Sequence, residues 1–203
     1  MRILSGLLIS ILLAACAAES TPTATTALEE PEPTAVPAAT ATEEEDPAVE
    51  EVDFKLTSSA YLQGDPIPAS YSCDGENTSP RLAWTNPPED TQSFALIFDD
   101  PDAPGGTWVH WVLFNLPAEV RSLPANVPPD ATLANGAVHG SNSWDSIGYG
   151  GPCPPGGEHR YFMKLYALDS ALELEVGATK EQLLEAMENH IVTEAELMGT
   201  YSR

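Results

Sequence analysis

"SFALIFDDPDAPGGTWVHWVLFNLP" (residues 93–117) runs apolar, breaks on three aspartates, two prolines and two glycines, then runs apolar again. The flanks "SFALIFD" (93–99) and "VHWVLFNLP" (109–117) have strand length. Their lack of polar alternation reads as strands covered on both faces. A longer run of the same kind, "RYFMKLYALD" (160–169), follows, and "FKLTSSAY" (54–61) and "RLAWTN" (81–86) are shorter candidates. Proline turns such as Asp65-Pro66 and Asn86-Pro87-Pro88 separate them. Only the end reads as helical. "TKEQLLEAMENH" (179–190) opens with Thr179 and Gln182 in capping-box spacing and puts Leu183, Leu184 and Met187 on one face. "TEAELMG" (193–199) is expected to add one more turn. The pattern predicts a mainly β protein, a Greek-key β-sandwich with a C-terminal helix.

The N-terminal fifth of the chain has another character. Arg2 is followed by thirteen mostly apolar residues, Ile3 to Ala15, too few to span a bilayer and typical of a signal peptide. The run ends in Leu-Ala-Ala-Cys16, which resembles the bacterial lipoprotein processing box. On that reading residues 1–15 are removed and Cys16 carries lipid. The protein is then extracytoplasmic, anchored to a bacterial membrane. Residues 16–51 are rich in Ala, Thr, Pro and Glu and hold ten acidic residues and no Lys or Arg. Such a composition cannot bury enough apolar surface to fold, so the segment reads as a disordered acidic tether. Residues 52–203 form the domain.

That domain carries 21 of the 31 acidic and 7 of the 8 basic residues, a formal charge of 7 − 21 = −14. Phosphate backbones demand the opposite sign, so nucleic acid is excluded as a partner. Anionic membrane surfaces repel it too, which leaves the lipid anchor as its membrane contact. Any anion it holds must be captured by local geometry. With Cys16 lipidated, Cys73 and Cys153 remain. Eighty residues apart, they are compatible with a disulfide or with two free thiols.

Two segments place polar groups where a strand should simply end. In the first, Asp100 closes one strand and His110 opens the next. The second is "GYGGPCPPGGEHRYF" (148–162), where glycines and prolines lead into His159-Arg160-Tyr161. Strand alternation puts His159 and Tyr161 on one face and Arg160 on the other.

These stretches, with "CDGENTSPRLAW" (73–84), "NGAVHGSN" (135–142) and the terminal "GTYSR", resemble the phosphatidylethanolamine-binding protein family in its bacterial, Raf-kinase-inhibitor-like branch. The resemblance covers nearly all of residues 54–203. It implies a β-sandwich with a small pocket for phosphate, acetate or phosphorylated head groups, and no metal or cofactor. By position, Asp100, His110, His159 and Tyr161 would line the pocket. Pro101 and Pro104 would shape its rim, with Trp108 on one side and Pro154 opposite. Asp102 and Arg160 are expected to form a supporting ion pair beneath it. The chain departs from the branch at "SWDSIG" (143–148), where a phenylalanine and glycine are usual, and at Asn189, where glycine is. The first departure is expected to make the pocket mouth bulkier and more acidic, so both bear on ligand preference, but neither is expected to touch the pocket residues or alter the fold.

Rival readings are weaker on the residues. A metal at Asp99, Asp100, Asp102 and His110 needs convergent ligands, and Pro101 splays the carboxylates; Asp99 is expected to face solvent. A serine hydrolase lacks its GxSxG elbow. His139 and His190 read as structural or exposed, Trp84 and Trp111 as core. The function this predicts is non-catalytic binding of a small anionic ligand. The alternatives are a protein-interaction module inhibiting a protease or kinase-like partner, and a metal-independent hydrolase.

Overall fold

The computed structural model describes residues 53–203; the expected signal peptide, Cys16 and the tether lie outside the described residues. Eight strands form two antiparallel sheets. The smaller, in the order β1-β2-β5, contains β1 (Lys55–Ser58), β2 (Leu82–Thr85) and β5 (Ser122–Leu123). The larger contains β3 (Ser93–Asp100), β4 (Trp108–Pro117), β6 (Val138–His139), β7 (Glu158–Leu168) and β8 (Ile191–Ser202), in the order β6-β4-β3-β7-β8. Within it β3, β4 and β6 step outward, and β7 then returns to pair with the free side of β3. That is the Greek-key arrangement. The return path, residues 140–157, contains no strand or helix of its own and becomes one wall of the site.

The unbroken apolar run of β3 is explained by its place. It is the central strand, and all eight of its residues are buried. Phe94, Leu96 and Phe98 face the smaller sheet and pack with Leu56, Leu82, Trp84 and Met163. Ala95 and Ile97 face the other way, into a second cluster with Val112, Phe114, Leu183 and Met187. The last two belong to helix α1 (Lys180–Met187), which covers the outer face of the large sheet. Its capping box is complete: Thr179 accepts from the Gln182 N–H, and the Gln182 side chain accepts from the Thr179 N–H. Leu184 lies off the buried stripe, 38% exposed. Among the described residues no helix is long and apolar enough to cross a membrane.

The segment 193–199, expected as a helical turn, is instead the middle of β8. Ala195, Leu197 and Gly199 are buried while Glu194 and Glu196 are exposed, a period of two that only a strand can present. Between α1 and β8 the chain reverses at Asn189, whose φ of 67° explains why a glycine is at home there.

Asp99 does not face solvent. It is 3% exposed and points to the helix side of β3, where Lys180 Nζ donates to its carboxylate. Lysine on the first turn of a helix opposes the macrodipole, so its position here answers Asp99 rather than the helix. Removing one partner of a buried pair leaves an uncompensated charge. Lys180→Ala is therefore expected to destabilise the fold by about 3–5 kcal/mol, whereas Asp99→Leu with Lys180→Met restores most of the loss. Urea midpoints of the two variants check this.

Candidate functional site

At the end of β3 the chain turns through residues 101–107 and re-enters the sheet as β4. Strand alternation sends Asp99 to the helix side and Asp100 to the sandwich side, where β7 presents His159 and Tyr161. Asp100 is 3% exposed and fully partnered. Its Oδ2 accepts from His159 Nδ1 at 2.8 Å, and its Oδ1 from the Asp102 N–H at 2.8 Å. His110, on β4, donates from Nδ1 to the Gly150 carbonyl at 2.8 Å. Both rings thus have their Nδ1 fixed, leaving each Nε2 for whatever enters. Burial holds His110 below its ordinary imidazole range, outweighing the opposing pull of the Gly150 carbonyl and of Asp100. The ring is neutral at neutral pH, and its Nε2 is an acceptor.

Tyr161 lies beneath the two imidazoles, its ring centroid 5.3 Å from that of His110 and 6.5 Å from that of His159. Its hydroxyl is buried with no hydrogen-bond partner. Burial first, and the charge of Asp100 second, push its ionisation far above the ordinary phenol range.

These groups close one end of a cavity of about 290 Å³ whose rim is largely apolar: Pro104, Trp108, Trp144, Cys153, Pro154 and Pro155. Of the residues expected there, Asp100, Pro104, Trp108, His110, Pro154 and His159 line the cavity; Tyr161 does not, being fully buried against the rings of His110 and His159. Pro101 does not reach the cavity. It is exposed in the turn, between Asp100 and the Asp102 N–H that donates back to Asp100. The Asp102–Arg160 pair forms, but at the surface rather than beneath the pocket. Asp102 accepts from the Arg160 N–H at 3.0 Å, Nε at 2.9 Å and a terminal guanidinium nitrogen at 2.7 Å. This clamp ties the 101–107 turn to β7 and so holds the Asp102 N–H on Asp100.

Trp144 is the residue the sequence reading missed. The "SWDSIG" segment, expected at the pocket mouth without touching the pocket residues, supplies a wall that packs on His110. The Trp144 ring meets Trp108 edge-to-face at 5.4 Å and His110 at 5.1 Å. Asn142 sets it there: its Oδ1 accepts from the N–H groups of Trp144 and Ser146, and its amide donates to the Gly148 carbonyl. Gly150 makes room, since a Cβ at that position would fall 2.4 Å from the Trp144 ring. The available signal was a tryptophan amid Asn, Ser, Asp and Gly, a polar turn with no core to bury it.

The opposite lip is held covalently. Cys73 and Cys153 are joined, with S–S 2.06 Å and Cα–Cα 5.4 Å. The Cys73 N–H donates to the Pro152 carbonyl and the Gly151 N–H to Asn77 Oδ1. Pro154 and Pro155, next along the lip, have no N–H to contribute. Among the described residues no three His, Cys, Asp or Glu side chains converge on a metal-sized space. His139 is buried, with Nδ1 on the Asp130 carbonyl, and His190 pairs with Asp169 at the surface.

Fold and site together define a β-sandwich with one small, aromatic-rimmed pocket floored by two imidazoles and a carboxylate. Residues 57–202 match the sequence model of the phosphatidylethanolamine-binding protein family, and the chain belongs to that family. A UPF0098 protein of Methanothermobacter thermautotrophicus is 52% identical over 150 residues, covering 74% of this chain and 99% of that protein. A UPF0098 protein of Chlamydia muridarum is 47% identical over 155 residues, with the same coverage. Among solved structures, E. coli YbcL, described as a member of the mammalian PEBP family, superposes with a TM-score of 0.70 at 35% identity, covering 74% of this chain and 98% of YbcL. A Chlamydia trachomatis phosphatidylethanolamine-binding protein homolog gives 0.69 at 45%, covering 74% and 97%.

The surface clamp generates a pH prediction. The Arg160 guanidinium, then the Arg160 N–H, lower the Asp102 carboxyl to about 2. A depressed carboxyl stabilises the fold above its unfolded value, near 4, and loses that contribution as pH falls toward 2. Carboxyl-carbon NMR should find the Asp102 midpoint near 2. In Arg160→Ala the midpoint is expected to rise only part of the way, because the backbone N–H remains.

Proposed function

We propose that this chain is a non-catalytic binding protein for small phosphorylated or carboxylated molecules, displayed outside the cytoplasm on a lipid anchor at Cys16. One observation carries the reading: two imidazoles with Nδ1 committed to protein acceptors, His110 and His159, line a single cavity and keep their remaining nitrogens for what enters it. At about 290 Å³ that cavity sits at the small end of ligand pockets, the size of a head group and not of acyl chains. Binding is favoured over catalysis by what the wall lacks. It offers no Ser, Thr or Lys, and its one sulfur is spent in the disulfide. The aromatic and proline rim supplies a rigid frame with little conformational freedom to lose on binding.

The experiment is a titration of the full chain with inorganic phosphate and phosphoethanolamine, followed by the imidazole signals in NMR. Saturable shifts at His110 and His159, abolished in His159→Ala, are expected. Silence of both rings at several millimolar ligand from mildly acid to mildly basic pH would retire the reading.

A further inference from the structure

Resting on that reading, we infer that the pocket takes its oxyanion singly ionised and proton-bearing, as a phosphate monoester monoanion, and discriminates against fully ionised or proton-less anions. Asp100, His110 and His159 are the ionisable side chains among the cavity-lining residues, and no Lys or Arg is among them. Arg160, beside His159 in sequence, turns to the opposite face of β7 and is consumed by Asp102. Whether His159 carries one proton or two, its pair with the Asp100 carboxylate has no net positive charge. A dianion would enter a site that is neutral or negative, inside a domain of charge −14.

Hydrogen-bond capacity points the same way. His110 donates from Nδ1 to the Gly150 carbonyl, so the neutral ring offers a lone pair at Nε2. The groups facing it do not reverse this. Asp99 and Asp100 approach from β3 and Tyr161 and His159 from β7, while the long connection contributes uncharged Trp144 and the Gly150 and Gly151 carbonyls. Burial among these keeps the ring neutral despite the two carboxylates. Both Asp100 oxygens are already accepting. An anion made only of acceptor oxygens therefore meets a lone pair at His110 Nε2, whereas a P–OH donates to it. The discriminating element is a protein acceptor aimed at the ligand's own acid proton.

The test uses the full chain and four probes: inorganic phosphate, methyl phosphate, dimethyl phosphate and sulfate. Dimethyl phosphate stands for the diester of a lipid head group, singly charged but without an acid proton. At pH 7, phosphate and methyl phosphate are expected to bind at least tenfold more tightly than sulfate or dimethyl phosphate. Because binding requires the proton-bearing form, phosphate affinity should fall about tenfold per pH unit above the second ionisation of phosphate, with about one proton taken up. Calorimetry in buffers of different ionisation heat reads that proton directly. His110→Gln, whose amide can present a donor, is expected to narrow the phosphate-to-sulfate ratio. Sulfate or the diester binding within twofold of phosphate, a flat pH profile, or an unchanged ratio in His110→Gln would overturn the inference and leave the binding function standing. No binding of any probe, even at pH 5.5, would remove both.

Discussion

Two carboxylates are buried side by side at the end of the central strand, and much of the molecule is arranged around them. Asp99 and Asp100 follow five apolar residues of β3 into the interior, each 3% exposed. A buried charge is tolerated only if it is paired and hydrogen-bonded. Strand alternation sends the two to opposite faces, so each needs a partner from a different layer. Asp99 finds Lys180 at the start of the helix that covers the outer face. Asp100 finds His159 on β7 and the Asp102 N–H in the following turn. One pair pins the helix to the sheet, and the other builds the floor of the pocket. The two roles of the same dipeptide, one in holding the helix and one in shaping the cavity, differ only in the face to which each side chain turns.

The Greek-key path explains why the pocket lies where it does. β7 must return from the β6 edge to the free side of β3, and the chain that carries it, residues 140–157, passes over the ends of β3 and β4. There it lays Trp144 against His110 on one side and Cys153-Pro154-Pro155 on the other. Loops are mobile by default, because their backbone groups go to water. This one is tied at several points. Ser143 exchanges backbone and side-chain hydrogen bonds with Val109, Asn142 organises the turn, Gly150 N–H donates to the His110 carbonyl, and the disulfide closes the far lip. This cavity wall is therefore built on a loop but held by several fixed contacts.

How much of this was legible in the sequence depended on the range of the interaction. Strands β3, β4 and β7 could be read because double-sided burial forces a continuous apolar run, and α1 because its capping box is local to four residues. β5 and β6 could not be read, since two-residue strands carry no period. β8 was misread although Ala195, Leu197 and Gly199 alternate with Glu194 and Glu196. Good helix-forming residues in "TEAELM" outweighed the period, and pairing with β7 over eleven residues decides the matter in the structure. At the site, Asp100, His110 and His159 were found by family position. Trp144 was not, because its contact with His110 spans 34 residues through a loop whose course no local pattern fixes. The solvent assignment of Asp99 failed for the same reason: Lys180 is 81 residues away.

The charge of the domain and that of its pocket belong to one design. With −14 on the fold, every approaching anion is repelled at long range, but at physiological salt this repulsion fades beyond about 8 Å. What decides capture is then the final few ångströms. There the protein sets a neutral imidazole, a carboxylate already paired with His159, and an aromatic rim from which water is readily displaced. A basic pocket in the same place would bind any anion of suitable size, and most tightly those with the highest charge. An acidic domain with an uncharged lone pair at the end of its pocket inverts that ranking. On the proposed reading it would favour the ligand that brings its own proton, because only that ligand turns the His110 acceptor from a repulsive contact into a hydrogen bond. Selectivity of the proposed kind would follow from withholding positive charge.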